Sequence, residues 1–285
     1  MSSRRLDVDF VTKLDRRLSD GGDAAPLQAC GRTTVGGLLS LACLADIHPD
    51  VDLSLPNDLE RTPALRAVRR GLPDLTLGET VRPMANLSTQ SEPLGVFPLL
   101  PGFAMTDHAL GAFCLRFRHA INAEHGRTTL RRRADLIEAA IRELIENVAR
   151  HAGTARPAVV GYEVTPRSVA FGVFDLGRGA AASLRQNPEY AAIVEDLDAL
   201  RLVIQPGVSA DPAAGGGGTG YRQVFKALAD AEGHVWMRSG NAVSELRGKD
   251  IRPDVIELNT SVLPDSRVHQ GRFQVAVGYS LEKTS

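Results

Sequence analysis

The stretch RELIENVARHAG, residues 142–153, decides the fold of the C-terminal part of the chain. Its apolar residues recur at the three- and four-residue spacing of a helix, and the longer run 131–151 continues the pattern. Glu143, Asn147 and His151 recur every four residues, so an acid, an amide and an imidazole lie along one helix face. A helix with an apolar face and this polar row is expected to do more than pack.

A second polar signal follows an apolar run. Residues 159–164 and 168–174 are expected to form a pair of strands, and FDLGRG, residues 174–179, comes directly after. The carboxylate of Asp175 can accept a hydrogen bond from an exocyclic amine, and Gly177 and Gly179 let the backbone approach a ligand or take a positive φ. A plain turn fits the same residues, so this motif alone leaves both interpretations open.

The third signal is GGGGTG, residues 215–220, before an expected helix over 221–231. Free backbone N–H groups at a helix N-terminus favour a bound phosphate. No strand precedes the run and no acid closes the following strand, which excludes the dinucleotide fingerprint. Tyr221 stands where a Walker loop requires lysine. A flexible loop is the alternative, because four consecutive glycines are costly to order.

In this order and spacing, the three elements resemble the ATP-binding domain shared by gyrase, Hsp90-type chaperones, sensor histidine kinases and MutL, over roughly residues 108–285. The form ELIENVARHAG is most similar to the anti-sigma-factor serine kinases, and DLGRG with GGGGTGY is also similar to stand-alone bacterial ATP-binding proteins. The resemblance implies a two-layer α/β sandwich, with helices on one face of a mixed, mainly antiparallel sheet. It also places an ATP lid between Gly179 and Gly215, where residues 189–204 are expected to be helical. Residues 234–238, 255–258 and 273–279 are expected to be strands, and apolar residues alternate cleanly in the last of them.

The same resemblance implies roles for individual residues. Asn147 would coordinate Mg²⁺ bridging the ATP phosphates, and Glu143 would orient or deprotonate the attacking water or hydroxyl. Asp175 would hold the adenine amine. His151 would contact phosphate, or else it is an ordinary helix-end histidine near the negative end of the helix dipole. The other implied nucleotide contacts are Gly177, Gly179, Gly218, Thr219 and Gly220.

Two features depart from this family pattern. The Gly-Thr pair expected before the last strand is replaced by HQGRF, residues 269–273, so the adenine contact would need Thr260 or Ser261 instead. No phosphoacceptor helix is evident, because His119 is only 28 residues before Asn147.

The first part of the chain is expected to be a small α/β domain, residues 1–77. A helix over 34–46, a strand over 51–55 and a helix from Asp58 or Thr62 to Gly71 resemble part of the STAS-type fold of anti-sigma-factor antagonists. A degenerate interface domain fits the same residues. Residues 78–107 are rich in proline and are expected to be a connector.

Composition limits the partners. A net charge of −1 gives no reason to expect nucleic acid or an anionic membrane. The longest apolar stretch, residues 35–47, is shorter than the roughly 20 residues that span a bilayer. Three widely spaced cysteines indicate buried thiols in a reducing compartment, so a cytoplasmic protein is expected.

Two functions follow. The first is a regulatory protein kinase or ATPase that passes the γ-phosphate of ATP to a partner protein or to water. The second is a non-catalytic switch whose affinity for a protein partner depends on bound nucleotide. Either function leaves open whether the protein forms a homodimer.

Overall fold

The computed structural model describes residues 4–48, 50–55, 59, 62–71, 92–99, 108–126, 129–151, 158–205, 207–211, 221, 224–225, 233–248, 259–262 and 273–280. The α-helices in these segments are α1 Val8–Ser19, α2 Val35–Ile47, α3 Pro63–Gly71, α4 His108–His125, α5 Thr129–Arg132, α6 Ala134–His151, α7 Gly179–Leu184 and α8 Asp196–Val203. The strands are β1 Arg4–Leu6, β2 Cys30–Thr33, β3 Leu94–Leu99, β4 Ala158–Thr165, β5 Ser168–Asp175, β6 His234–Ser239, β7 Ala242–Arg247, β8 Asn259–Val262 and β9 Phe273–Ser280. Within the same segments, no helix is both long and apolar enough to cross a membrane.

Seven strands form one sheet in the order β3-β4-β5-β9-β6-β7-β8. Every pair in it is antiparallel, so the described sheet is antiparallel throughout where a mixed sheet was expected. The expected hairpin is confirmed as β4 and β5, which pair along their full length from Thr165 opposite Ser168 to Ala158 opposite Asp175. A separate parallel pair is formed by β1 and β2.

One face of the sheet is covered by α4 and α6. Because side chains alternate across a strand, every second residue of the central strands enters this layer. Val169, Phe171 and Val173 of β5 join the apolar face of α6 in one core cluster, together with alternate residues of β4, β6 and β9. This layer corresponds to the α/β sandwich that was expected.

The other face is covered by the N-terminal helices, so the expectation of helices on one face only is wrong. α2 contacts β4 and β5 directly, and α1 and α3 pack around it. Val159 and Phe174, which point away from α6, belong to the same core cluster as the apolar residues of α1, α2 and α3. The Glu163 carboxylate also accepts a hydrogen bond from the Val35 N–H at the start of α2, at 3.1 Å. The sheet is therefore the middle of three layers.

The N-terminal part differs from expectation in its elements. The helix expected over 34–46 is confirmed as α2, with Thr34 as its N-cap, and α3 begins after Thr62. The strand expected over 51–55 is wrong, because these residues form an irregular segment whose apolar side chains pack beside the N-terminal cluster. That strand carried the STAS-like resemblance. The connector expected over 78–107 contains the edge strand β3, and residues 72–91 and 100–107 lie outside the described segments.

Two further expectations fall on described residues, and a third does not. All three cysteines are buried thiols, as expected. The helix expected over 189–204 is shorter, because Pro188–Tyr190 forms a 3-10 turn and α8 begins only at Asp196. The strand expected over 255–258 lies outside the described residues, while β8 follows directly after it.

Candidate functional site

The polar row of α6 lies on the side of the helix that is not in the core. Ile141, Leu144, Ile145 and Val148 are buried against the sheet and α4, whereas Glu143, Asn147 and His151 are each half-buried. The four-residue spacing therefore gives the expected stack of three polar side chains along one helix face.

Partial burial changes the chemistry of this row. Burial raises the pKa of Glu143 above its ordinary value, and the nearby Glu146 carboxylate raises the pKa further while Arg150 lowers it. The Asn147 Nδ2 atom is buried and has no hydrogen-bond partner among the described residues. A buried amide is costly without a partner, so the side chain of Asn147 is a candidate contact for a bound ligand.

Asp175 is the last residue of β5 and lies on the same face of that strand as Val173, toward α6. Its side chain is almost fully enclosed, with 4% exposure. The Gly177 N–H donates a hydrogen bond to Asp175 Oδ1, which fixes the carboxyl at the strand end. Burial raises the pKa of Asp175 to about 7, although the Gly177 N–H lowers it. This carboxyl therefore changes its charge near neutral pH.

The glycine turn after Asp175 leads directly into α7. Gly179 has a φ of +75°, in the left-handed region, where a residue with a Cβ is strained. This conformation lets the chain turn from the end of β5 into a helix within four residues. The turn brings Asp175, Arg178 and the start of α7 together at the C-terminal end of β5, an interior strand of the sheet.

Tyr221 lies near two carboxyl groups, those of Glu143 on α6 and Asp175 on β5. Burial raises the pKa of the Tyr221 hydroxyl, and the charges of Asp175 and Glu143 raise it further. Both carboxyl groups therefore lie within electrostatic range of this buried ring, which stacks on Phe225 with the ring centroids 5.7 Å apart. The structure thus brings Glu143, Asp175 and the residue after the glycine run into one region. Gly218, Thr219 and Gly220 themselves lie outside the described residues.

His151 ends α6 beside two arginines. Burial lowers the pKa of His151, and the charges of Arg150 and Arg178 lower it further, while Asp211 raises it. The imidazole is therefore neutral at physiological pH, so it is poorly suited to act as a fixed cation for a phosphate.

Arg178 is the functional candidate that the sequence argument missed. It lies between the two glycines of the turn, is half-buried, and makes no ion pair with another described residue. Its charge reaches His151 at the end of α6. The signal available in the sequence was the second variable position of D-x-G-x-G, which Arg178 occupies. An arginine at that position is expected to lie next to the phosphates.

No protein-family model, characterised protein or solved structure matches the chain.

Residues 179–205 and 207–211, within the region where a lid was expected, form a small folded unit. α7 and α8 pack on each other around a cluster of their own, formed by Ala180, Ala181, Leu184 and Ala199. The Asn187 side chain closes the unit, because its Nδ2 donates to the Ser209 carbonyl at 2.9 Å and its Oδ1 accepts from the Glu189 N–H. The described part of this segment therefore has its own hydrophobic and polar contacts.

The described side chains of the site offer the oxygens of Glu143, Asn147 and Asp175 and the guanidinium of Arg178. Among the described residues, no group of three or more His, Cys, Asp or Glu side chains could hold a metal ion. An amide and a carboxylate one helical turn apart, at Asn147 and Glu143, match the hard oxygen ligands that Mg²⁺ takes when phosphates complete its coordination. The site is thus suited to a phosphorylated ligand that has a hydrogen-bond donor for Asp175.

Proposed function

We propose that the chain binds ATP with Mg²⁺ between α6 and the turn after Asp175, as the resembling ATPase family does. The observation that carries the proposal is the buried Asp175 carboxyl, held by the Gly177 N–H beside a glycine turn and facing α6. Ionising this carboxyl in its enclosed position is unfavourable, and an amine that donates to it offsets that cost. The exocyclic amine of adenine is such a donor.

The phosphates would lie along the polar row of α6. Asn147, whose amide has no partner among the described residues, fits the role of the Mg²⁺ ligand if its oxygen turns toward the ion. When bound, the ion neutralises phosphate charge. Arg178 would contact the phosphates from the turn, and Gly218, Thr219 and Gly220 would present backbone N–H groups.

Glu143 is the residue proposed to act on the nucleophile. Its raised pKa makes it a better proton acceptor than an exposed glutamate, which suits a general base that works near neutral pH. We therefore propose a regulatory protein kinase or ATPase of the cytoplasm, in which Glu143 orients or deprotonates a hydroxyl of a partner protein or a water molecule. The bond between the γ-phosphorus and its bridging oxygen breaks as the new P–O bond forms, and ADP leaves.

Nucleotide binding is tested by titration calorimetry on the full chain with Mg-ATP at pH 8, where Asp175 is ionised. We expect saturable binding to one site. We also expect Asp175→Asn and Asn147→Ala each to weaken it by at least about tenfold, or 1.4 kcal/mol. ITP, which lacks the exocyclic amine, should bind more weakly than ATP to the wild type but not to Asp175→Asn. Equal affinity of the wild type for ATP and ITP would rule out the assigned role of Asp175.

Turnover is tested separately, by phosphate release and by transfer of labelled γ-phosphate to proteins of a lysate. Glu143→Gln should abolish both while keeping ATP affinity. Glu124→Gln is the matched control, since Glu124 is an exposed glutamate of α4 that lies outside the proposed site. ATP binding with neither release nor transfer by the wild type would overturn the enzyme and leave the nucleotide-gated switch.

A further inference from the structure

Two consecutive residues at the end of β6 point to opposite faces of the sheet. Arg238 faces the N-terminal helices, and Ser239 faces the glycine turn, because side chains alternate along a strand. Both residues are buried, with 3% exposure for Arg238 and none for Ser239.

On the N-terminal face, Arg238 meets Asp15 of α1. Arg238 Nη2 and Asp15 Oδ2 are 2.6 Å apart, in ion-pair contact without an aligned hydrogen bond. Asp15 is fully buried, and its other oxygen lies 2.9 Å from Nε2 of His48 at the end of α2. The Arg238 Nε donates to the Gly240 carbonyl at 3.0 Å, which ties the guanidinium to the turn between β6 and β7.

On the opposite face, Ser239 holds the start of α7. Its Oγ accepts a hydrogen bond from the Ala180 N–H at 2.9 Å, and donates one to Asp196 Oδ1 at 3.1 Å. Ala180 directly follows Gly179, the left-handed residue of the glycine turn, and Asp196 begins α8. One hydroxyl therefore joins the glycine turn, the end of β6 and the start of α8.

We propose that the end of β6 couples the docking of α1 to the conformation of the glycine turn, with Arg238 and Ser239 as positioning residues. For its consequence on nucleotide binding, the proposal rests on the function proposed above. Its structural part does not.

The physical basis is the covalent link between the two contacts. Arg238 and Ser239 share one peptide unit, so a backbone shift that follows the guanidinium also moves the Ser239 hydroxyl. The ion pair is buried, and a lone charge in that position is strongly unfavourable, so Arg238 must move if Asp15 leaves or loses its charge. The N-terminal layer thus sets the position of a turn on the far side of the sheet.

The structural part is tested by hydrogen–deuterium exchange of the full chain without nucleotide, measured on peptides that cover residues 177–184. Ser239→Ala should speed exchange there by at least about tenfold, since Ala180 loses its buried acceptor. Ser244→Ala is the matched control, because Ser244 is equally buried in β7 and its Oγ has no hydrogen-bond partner among the described residues. This control should leave exchange at 177–184 unchanged.

The decisive variant is Asp15→Asn, which removes a charge from α1 on the opposite face of the sheet. The proposal expects faster exchange at 177–184 in Asp15→Asn. His48→Gln, a milder change that keeps the Asp15 charge, serves if that variant fails to fold, and should produce a smaller effect of the same sign. Loosening of α1 in either folded variant, with wild-type exchange at 177–184, would overturn the coupling.

Nucleotide provides a reciprocal measurement, since coupling between two sites acts equally in both directions. If Mg-ATP binds, it should slow exchange in α1 around Asp15 in the wild type, and less so in Ser239→Ala. Slowing in α1 that Ser239→Ala leaves unchanged would overturn the route through β6. Absence of nucleotide binding would refute the proposed function alone, because the exchange experiment without nucleotide keeps its own outcome.

Discussion

Replacing Asp175 by asparagine should stabilise the protein in a pH-dependent way. The carboxyl has an ordinary pKa of 3.8, which burial raises to about 7 in the folded chain. Below both values the group is neutral in the folded and the unfolded state and has no effect. As the pH rises from about 4 to about 7, the unfolded chain releases the proton while the folded chain retains it, so the free energy of unfolding falls. Above pH 7 the loss is complete.

The magnitude follows from the size of the shift. About three pKa units at 1.4 kcal/mol each give a destabilisation on the order of 4 kcal/mol above pH 7, as an upper value. Asparagine cannot ionise, and its Oδ1 can still accept the hydrogen bond from the Gly177 N–H. The advantage of Asp175→Asn over the wild type should therefore grow between pH 4 and pH 7, and then stay constant to pH 8.

Urea unfolding at several pH values and one ionic strength measures this difference. Asp135→Asn is the control, because the Asp135 side chain is 88% exposed in its pair with Arg118 and should show only a small difference. A constant difference between Asp175→Asn and the wild type over this pH range would refute the reasoning. So would a wild type that gains stability over the variant as the pH rises.

Four further changes test the site and the layers. Asn147→Ala should stay folded but lose at least about tenfold in ATP affinity with Mg²⁺ and little without it; calorimetry in EDTA separates the two, and equal losses would contradict a metal role. Arg178→Gln should weaken ATP more than AMP in a competition assay, and an equal effect on both would remove Arg178 from the phosphates. Gly179→Ala should cost roughly 1–2 kcal/mol in urea unfolding because of its positive φ, whereas Gly111→Ala, in open space on α4, should stabilise by about 0.5–1 kcal/mol. Asp15→Asn should lower the free energy of unfolding by roughly 3–5 kcal/mol, and a loss below about 1 kcal/mol would show that the buried pair is not a docking contact.

The regular elements with a clean periodicity could be predicted from the sequence. The helix containing Glu143 and Asn147 and the alternation from Phe273 to Tyr279 both appear as α6 and β9, because their apolar faces are buried on one side. Alternation misled at Val51 to Leu55, where half-buried side chains cover the N-terminal cluster from an irregular segment. Local pattern cannot distinguish these cases, since apolar residues alternate with other residues in both sequences.

Elements with polar or proline-containing sequences were missed for a tertiary reason. In α1 the buried Asp15 interrupts the apolar face, and the partners that compensate its burial, Arg238 and His48, are distant in the chain. The strand β3 was not predicted because it contains Pro98, although a proline is tolerated in an edge strand. The same limit applies to the candidate site: the sequence predicted the polar row of α6 and Asp175 at the end of a strand, while the enclosure of Asp175 and the proximity of Arg178 to His151 depend on the packed fold.

The three-layer arrangement has a practical consequence for anyone who would cut the chain in two. A fragment of residues 108–285, the span of the ATPase resemblance, would lack the edge strand β3 and all of α1 and α2. It would expose the apolar back of the sheet at Val159 and Phe174, and leave Arg238 charged and alone on that surface. Such a fragment should aggregate. The N-terminal helices and β3 are therefore part of the fold that the remaining residues need, and they do not form a separable domain.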